Sequence, residues 1–173
     1  VLSYSLDWAK NYDQKLYSLL SKDEEYSKAI FSIDRGTAKP RKDIAKFSEI
    51  GAYVSFFFDE EFSGDLSELP ENISKETAKK VIEAYAASYE QAADNNEWFS
   101  HMKELCEPLG FTPNVKEFKK NPQQYLGHVG DVSSIVRVAV TGRKNTPDLF
   151  SIMTVLGKER VLNRLNAAAE KLS

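Results

Sequence analysis

The residues with the most chemical promise lie between positions 137 and 150. Arg137 is followed by the turn residues Thr141 and Gly142, then by Arg143, Lys144 and Asn145, and then by Thr146-Pro147-Asp148-Leu149-Phe150. Thr146, Pro147 and Asp148 read in order as an N-cap, an N1 proline and an acid in the first turn, which predicts a helix starting there. A helix N-terminus offers unpaired backbone N–H groups and a partial positive charge. Such groups, with Arg137, Arg143 and Lys144 beside them, suit phosphates and the acceptor edges of unstacked bases. Pro147 gives up one donor and supplies a rigid apolar plate for a base or ribose. The chemistry implied is recognition of an anion or a nucleic acid. An ordinary capped helix behind a basic loop would use the same residues, and the pattern leaves both readings open.

Bond-making chemistry finds little support elsewhere. No Gly-x-Gly-x-x-Gly or Walker-type loop is present to cradle phosphates. His101 and His128 are the only histidines, and neither has ligand spacing to another His or to Cys. Asp59, Glu60 and Glu61 fit a solvated acidic edge better than an acid–base pair. Cys106, the single cysteine, lies in a helical run without a neighbouring base, so a buried structural thiol is expected. The 173 residues are therefore expected to hold no catalytic, metal or cofactor site.

The composition is that of a soluble domain, with 42% hydrophobic and 28% charged residues. No stretch has the length and apolarity of a membrane span, and the first residues carry no secretory pattern. One thiol and no disulfide pattern point to the cytoplasm. The chain starts at Val1 rather than Met, which predicts a piece of something longer. The net charge is −3, but the charges are unevenly placed. Residues 59–71 are acidic. Residues 35–46 are basic through Lys39, Arg41 and Lys42, and the stretch from Arg137 to the end is basic as well. A protein that touches RNA locally needs local positive charge, not a basic average. Solvated helix faces would look the same.

The elements that position these residues are helical almost throughout. Leu6, Ala9, Leu16, Leu19 and Leu20 fall near one face. Asp43 can cap a helix through Ile44, Phe47, Ile50, Val54, Phe57 and Phe58, with Phe56-Phe57-Phe58 wedged between two neighbours. Ser63 to Asn72, acidic and broken by Gly64 and Pro70, reads as a linker. Ser74 caps a helix through Ala78, Val81, Ile82, Tyr85 and Tyr89. Another carries Trp98, Met102 and Leu105, and Thr112-Pro113 opens a third. Val132 to Thr141 alternates like a strand but also fits one helical face; without a partner strand, helix is expected. Gly157 stops the helix begun after Thr146, and a last helix runs to Leu172. The expected fold is all-α, with two consecutive small helical domains, residues 1–70 and 71–173.

The run Arg137-Val138-Ala139-Val140-Thr141-Gly142-Arg143 resembles the R-V-A-x-T-G motif of bacterial glutamyl-tRNA synthetases. Thr146-Pro147-Asp148-Leu149-Phe150 and Leu156-Gly157-Lys158-Glu159-Arg160-Val161 are similar to the stretches that follow it in that family. Pro40-Arg41-Lys42-Asp43-Ile44-Ala45-Lys46, Phe56-Phe57-Phe58 and Asp7-Trp8-Ala9 resemble the helical domain before it. The resemblance implies two helical domains forming a cage around the anticodon loop. It implies that Arg137, Thr146, Pro147 and Leu149 approach anticodon bases, with Arg143 and Lys144 on phosphates. In some members an arginine of the first domain selects the last anticodon base; Arg41 or Lys42 is nearest here, which leaves open whether glutamine tRNA is accepted beside glutamate tRNA. Gly127-His128-Val129-Gly130 and Ser74-Lys75-Glu76-Thr77 do not match the ATP signatures of class I synthetases. ATP and the catalytic step are thus expected in a half that is missing, and this portion is expected to act as a monomer that selects tRNA. Two other readings share the pattern: the helical cage of a class I lysyl-tRNA synthetase, and a helical protein-interaction module without RNA.

Overall fold

A computed structural model of the chain describes residues 1–36 and 44–173. Apart from one two-residue strand pairing, its regular elements are helices. The described residues form two compact units. The first comprises Val1–Ser63 with Pro147–Val155, and the second Gly64–Thr146 with Leu156–Ser173. The division differs from the expected 1–70 and 71–173 in two ways. It comes earlier, because residues 64–68 are held by the second unit: Lys171 donates to the Gly64 carbonyl at 2.8 Å, and the Lys144 N–H donates to Glu68 at 2.6 Å. It is also discontinuous, because 147–155 packs with the first unit.

In the first unit α1 (Leu2–Tyr12), α2 (Gln14–Lys22) and α3 (Glu24–Ser32) follow one another with single-residue breaks. The breaks are aspartates with extended backbone. Asp13 accepts the Leu16 N–H at 3.0 Å and Asp23 the Tyr26 N–H at 2.9 Å, so each ends one helix and caps the next. Ala9, Leu16, Leu20, Ile30 and Phe31 are buried, while Leu6 and Leu19 are half-buried. The helix expected from Asp43 to Phe58 is shorter than its pattern. Asp43 lies outside the described residues. The described part is a 3-10 turn at Phe47–Glu49, α4 (Ile50–Val54) and a second 3-10 turn at Ser55–Phe57. Phe56, Phe57 and Phe58 are all buried, which one continuous helical face could not achieve. The tighter turns rotate them inward, and each contributes on the order of 1.5–3 kcal/mol of apolar burial. Tyr26 secures the turn by donating to the Phe57 carbonyl at 2.7 Å. On the surface of the same unit Trp8 stacks on Tyr12 and on Phe47, with ring centroids 5.7 and 5.9 Å apart.

In the second unit α5 (Lys75–Ser88), α8 (Val129–Thr141) and α10 (Lys158–Lys171) pack on one another, and α6 (Asn95–Glu104) packs on α8. The expected helix at 129–141 is present, and its two-sided burial explains the strand-like valine pattern. Ser74 caps α5 as expected, accepting the Thr77 N–H at 3.1 Å. The cap of α7 (Val115–Lys120) is Asn114, not Thr112. Thr112 is taken into strand β1 (Phe111–Thr112), which pairs in parallel with β2 (Gly127–His128). Gly127 is needed there, since a Cβ would come within 2.6 Å of the Asp131 carboxylate and 3.0 Å of the Phe111 ring. α9 (Leu149–Leu156) begins in the first unit and ends at Gly157, the stop that the sequence predicts, whose positive φ of 82° with ψ 156° is extended backbone that suits glycine. Among the described residues no helix is long and apolar enough to cross a membrane.

Candidate functional site

The 137–150 segment begins inside the second unit, on α8. Val132, Ile135, Val136, Val138, Ala139 and Val140 are buried, so the helix is held on more than one side. Its last turn is tied by Arg164 of α10, itself only 5% exposed, whose guanidinium donates to the Val140 carbonyl at 2.9 Å. A cation at a helix C-terminus is placed favourably against the helix dipole. The Thr141 hydroxyl lies 2.8 Å from the Arg137 carbonyl and accepts the Arg143 N–H at 3.2 Å. Gly142 then turns the chain with φ 72°, returning its N–H to Val138 at 2.7 Å. Only glycine adopts that backbone without strain.

The loop that follows is closed by Arg137. Its guanidinium donates across nine residues to the Thr146 hydroxyl, and at 3.4 Å to the Thr146 carbonyl. Arg137 and Arg143 are half-buried, Lys144 and Asn145 exposed, and Thr146 buried. The N–H of exposed Lys144 donates to the Glu68 carboxylate at 2.6 Å. Glu68 itself is presented by a tight turn. Asp65 accepts the N–H and the hydroxyl of Ser67, both at 2.9 Å, and these bonds hold its carboxyl below the ordinary carboxylate range.

The other half of the segment belongs to the first unit. Pro147 is buried and Leu149 is 1% exposed. The helix does not start at Thr146 as the residue types predict. Asp148 is the cap: its carboxylate accepts the Ser151 N–H and hydroxyl, both at 2.8 Å, and its carbonyl takes the first helical N–H from Ile152 at 3.0 Å. The Thr146 hydroxyl accepts from Arg137 and does not cap this helix. The Asp148 N–H donates to the Asp34 carboxylate at 3.0 Å. The helix start is therefore dressed with acids from within the protein, and the expected set of unpaired N–H groups awaiting an anion is not what the fold provides here.

Of the residues predicted to form the site, Arg137, Arg143, Lys144 and Thr146 come together in the second unit, while Pro147 and Leu149 lie in the first. Arg41 and Lys42 lie outside the described residues. Glu68 and Asp34 were not foreseen. No local spacing could reveal them, because they bond partners 76 and 114 residues away. The other reactive residue types have structural duties. His128 caps α8 by accepting the Gly130 N–H on Nδ1 at 2.9 Å. His101 stacks on Tyr85 and lies 3.1 Å from the Ser88 hydroxyl. Cys106 is buried, and burial pushes its thiol up to about 11, too high for a nucleophilic thiolate near neutral pH. Among the described residues no three His, Cys, Asp or Glu side chains gather as they would around a metal ion.

Comparison with known proteins fits this inventory. The family model described as anticodon binding domain matches residues 15–169. The chain is 43% identical over 162 residues to a glutamate–tRNA ligase of Clostridium perfringens (strain 13 / Type A), a match covering 92% of this chain and 30% of that one. It is 41% identical over 170 residues to a glutamate–tRNA ligase of Clostridium beijerinckii, covering 96% and 31%. A glutamate–tRNA ligase of Sorangium cellulosum is 34% identical over 166 residues, covering 95% and 29%. The chain thus spans about 30% of the length of the curated relatives it matches.

Proposed function

Because the chain belongs to the anticodon binding domain family, we propose that it selects glutamate tRNA by its anticodon loop on behalf of a glutamate–tRNA ligase. The remainder of such a ligase would hold ATP and join glutamate to the tRNA, and these residues would supply selection alone. The portion works as a monomer in the cytoplasm, where its single thiol stays reduced.

The observation that carries this reading is the loop closed by Arg137. Gly142 and the Arg137–Thr146 bonds hold residues 142–146 in one shape, in which Lys144 is exposed and Arg143 half-buried. Arg143 and Lys144 meet phosphates of the anticodon loop and displace counterions, so binding weakens as salt rises. Half-buried Arg137 offers the guanidinium fork that an acceptor edge of a base meets, and buried Thr146 holds that fork in place. Pro147 and Leu149 are buried in the first unit, where they fix the backbone at the start of α9. Arg41 or Lys42 reads the last anticodon base and decides whether glutamine tRNA is admitted.

Fluorescence anisotropy with a labelled anticodon stem-loop of glutamate tRNA tests this at about 50 and about 200 mM salt. The loop is expected to bind more weakly at higher salt and more weakly when its anticodon is substituted. Arg137→Ala is expected to lose roughly 1–3 kcal/mol of binding. A folded protein that binds no loop at low salt, or binds every anticodon alike, contradicts the proposal.

A further inference from the structure

Asp34 is the only non-glycine residue with positive φ among the described residues, at 57°. It lies in the middle of the turn after α3, and such backbone is uncommon for any residue but glycine, with aspartate and asparagine the best tolerated of the rest. An outlier of this kind persists where the surroundings hold it. Here the carboxylate reaches the N–H of Asp148 at 3.0 Å, within the same unit and 114 residues along the chain. The chemistry at the start of α9 explains the need. In a capping box the cap's side chain takes the N–H three residues on, and the side chain at that third position returns the favour to the cap's own N–H. Asp148 performs the first half on Ser151. Ser151 does not perform the second: its hydroxyl is directed to the Asp148 carboxylate, and the Asp148 N–H goes elsewhere. The missing acceptor arrives from outside the helix, and it is Asp34.

We infer that Asp34 is a positioning residue for anticodon selection: it completes the cap of α9 from the turn after α3 and so sets the course of Pro147-Asp148-Leu149. The inference rests on the proposed function. Asp34 also directly precedes Arg35, the first residue of the basic stretch that holds Arg41 and Lys42. A carboxylate does not attract RNA, so its contribution to binding of a substituted loop is neutral or adverse while its contribution to selectivity is positive. Those opposite signs separate positioning from simple stabilisation.

The test compares Asp34→Gly and Asp34→Asn with the parent chain, reading anisotropy on the glutamate anticodon stem-loop and on one with a substituted anticodon, alongside thermal melting. Glycine keeps the left-handed backbone and removes the acceptor; asparagine keeps both. Asp34→Gly is expected to reduce the ratio of the two affinities by about fivefold, the change that one lost hydrogen bond gives. Its binding of the substituted loop at low salt should hold or rise. Asp34→Asn should retain the ratio. If Asp34→Gly melts earlier but keeps the ratio, or if Asp34→Asn loses it to the same extent, the positioning role is overturned. If the parent chain itself fails to distinguish the two loops, the proposed function fails, and that result is recognisable before any variant is read.

Discussion

Glu68 and Asp34 do formally the same thing in different units. Each is an acid from far upstream that accepts a main-chain N–H of the 137–150 segment, Glu68 from Lys144 and Asp34 from Asp148. Their settings differ. Glu68 is exposed and faces a stretch bearing Arg143 and Lys144. Asp34 is half-buried, sits on left-handed backbone, and completes a helix cap. In water the hydrogen bond of an exposed carboxylate is exchanged readily for solvent, and its charge is what remains. Away from water the geometry of the bond matters more than the charge. One acid therefore tunes the electrostatics of the loop, and the other fixes the path of the chain. What lies behind each differs too: an apolar helix face in the first unit, a buried arginine in the second.

The largest effect is expected from removing that apolar face. Leu149, Ile152 and Met153 are all nearly inaccessible. Leu149→Ala should destabilise the protein by about 2–5 kcal/mol, from lost burial and the cavity left behind. Urea unfolding followed by circular dichroism measures it. A loss below about 1 kcal/mol would mean that α9 is anchored through its cap alone, and the contrast between the two units would weaken.

A smaller loss is expected for the anchor of the second unit. Arg164→Met keeps an unbranched stem of similar length but withdraws the donor from the Val140 carbonyl. A hydrogen bond involving a charged group contributes about 1.5–3 kcal/mol, partly offset because the guanidinium no longer needs to be held away from water. The net destabilisation should be about 1–2 kcal/mol by the same unfolding assay. A more stable Arg164→Met protein would show that desolvation outweighs the bond, and that α8 is held by its valines.

The two units were also unequally legible in the sequence. Helix periodicity located α5 and α10 and their buried faces, because a 3.6-residue pattern is a local property, while α8 was read as helix for want of a partner strand. Periodicity failed between Lys46 and Phe58, where three adjacent phenylalanines are buried by 3-10 turns that no helical period describes. The cap at Thr146 was misplaced by two residues for a reason of the same kind. Thr-Pro-Asp offers two good capping side chains, and in the fold Asp148 caps while Thr146 accepts from Arg137, a pairing that residue types alone do not reveal. Arg137, Arg143 and Lys144 were legible from residue type and from the Gly142 turn. Glu68 and Asp34 were not, since only the folded chain brings them to their N–H partners.

The smallest effect sharpens the comparison most. Glu68→Gln keeps an acceptor for the Lys144 N–H and removes a negative charge beside a cationic loop. Stability should hardly change, because the pairing is exposed. Binding of the anticodon stem-loop should tighten, by about twofold at low salt, with the gain shrinking as salt screens the charge. The ratio between cognate and substituted loops should stay constant, unlike the ratio in Asp34→Gly. Anisotropy titrations of the two loops at two salt concentrations give all three quantities. Weaker binding by Glu68→Gln would show that the charged form of the bond holds the loop in shape; both acids would then be tethers, and the distinction drawn from their exposure would be wrong.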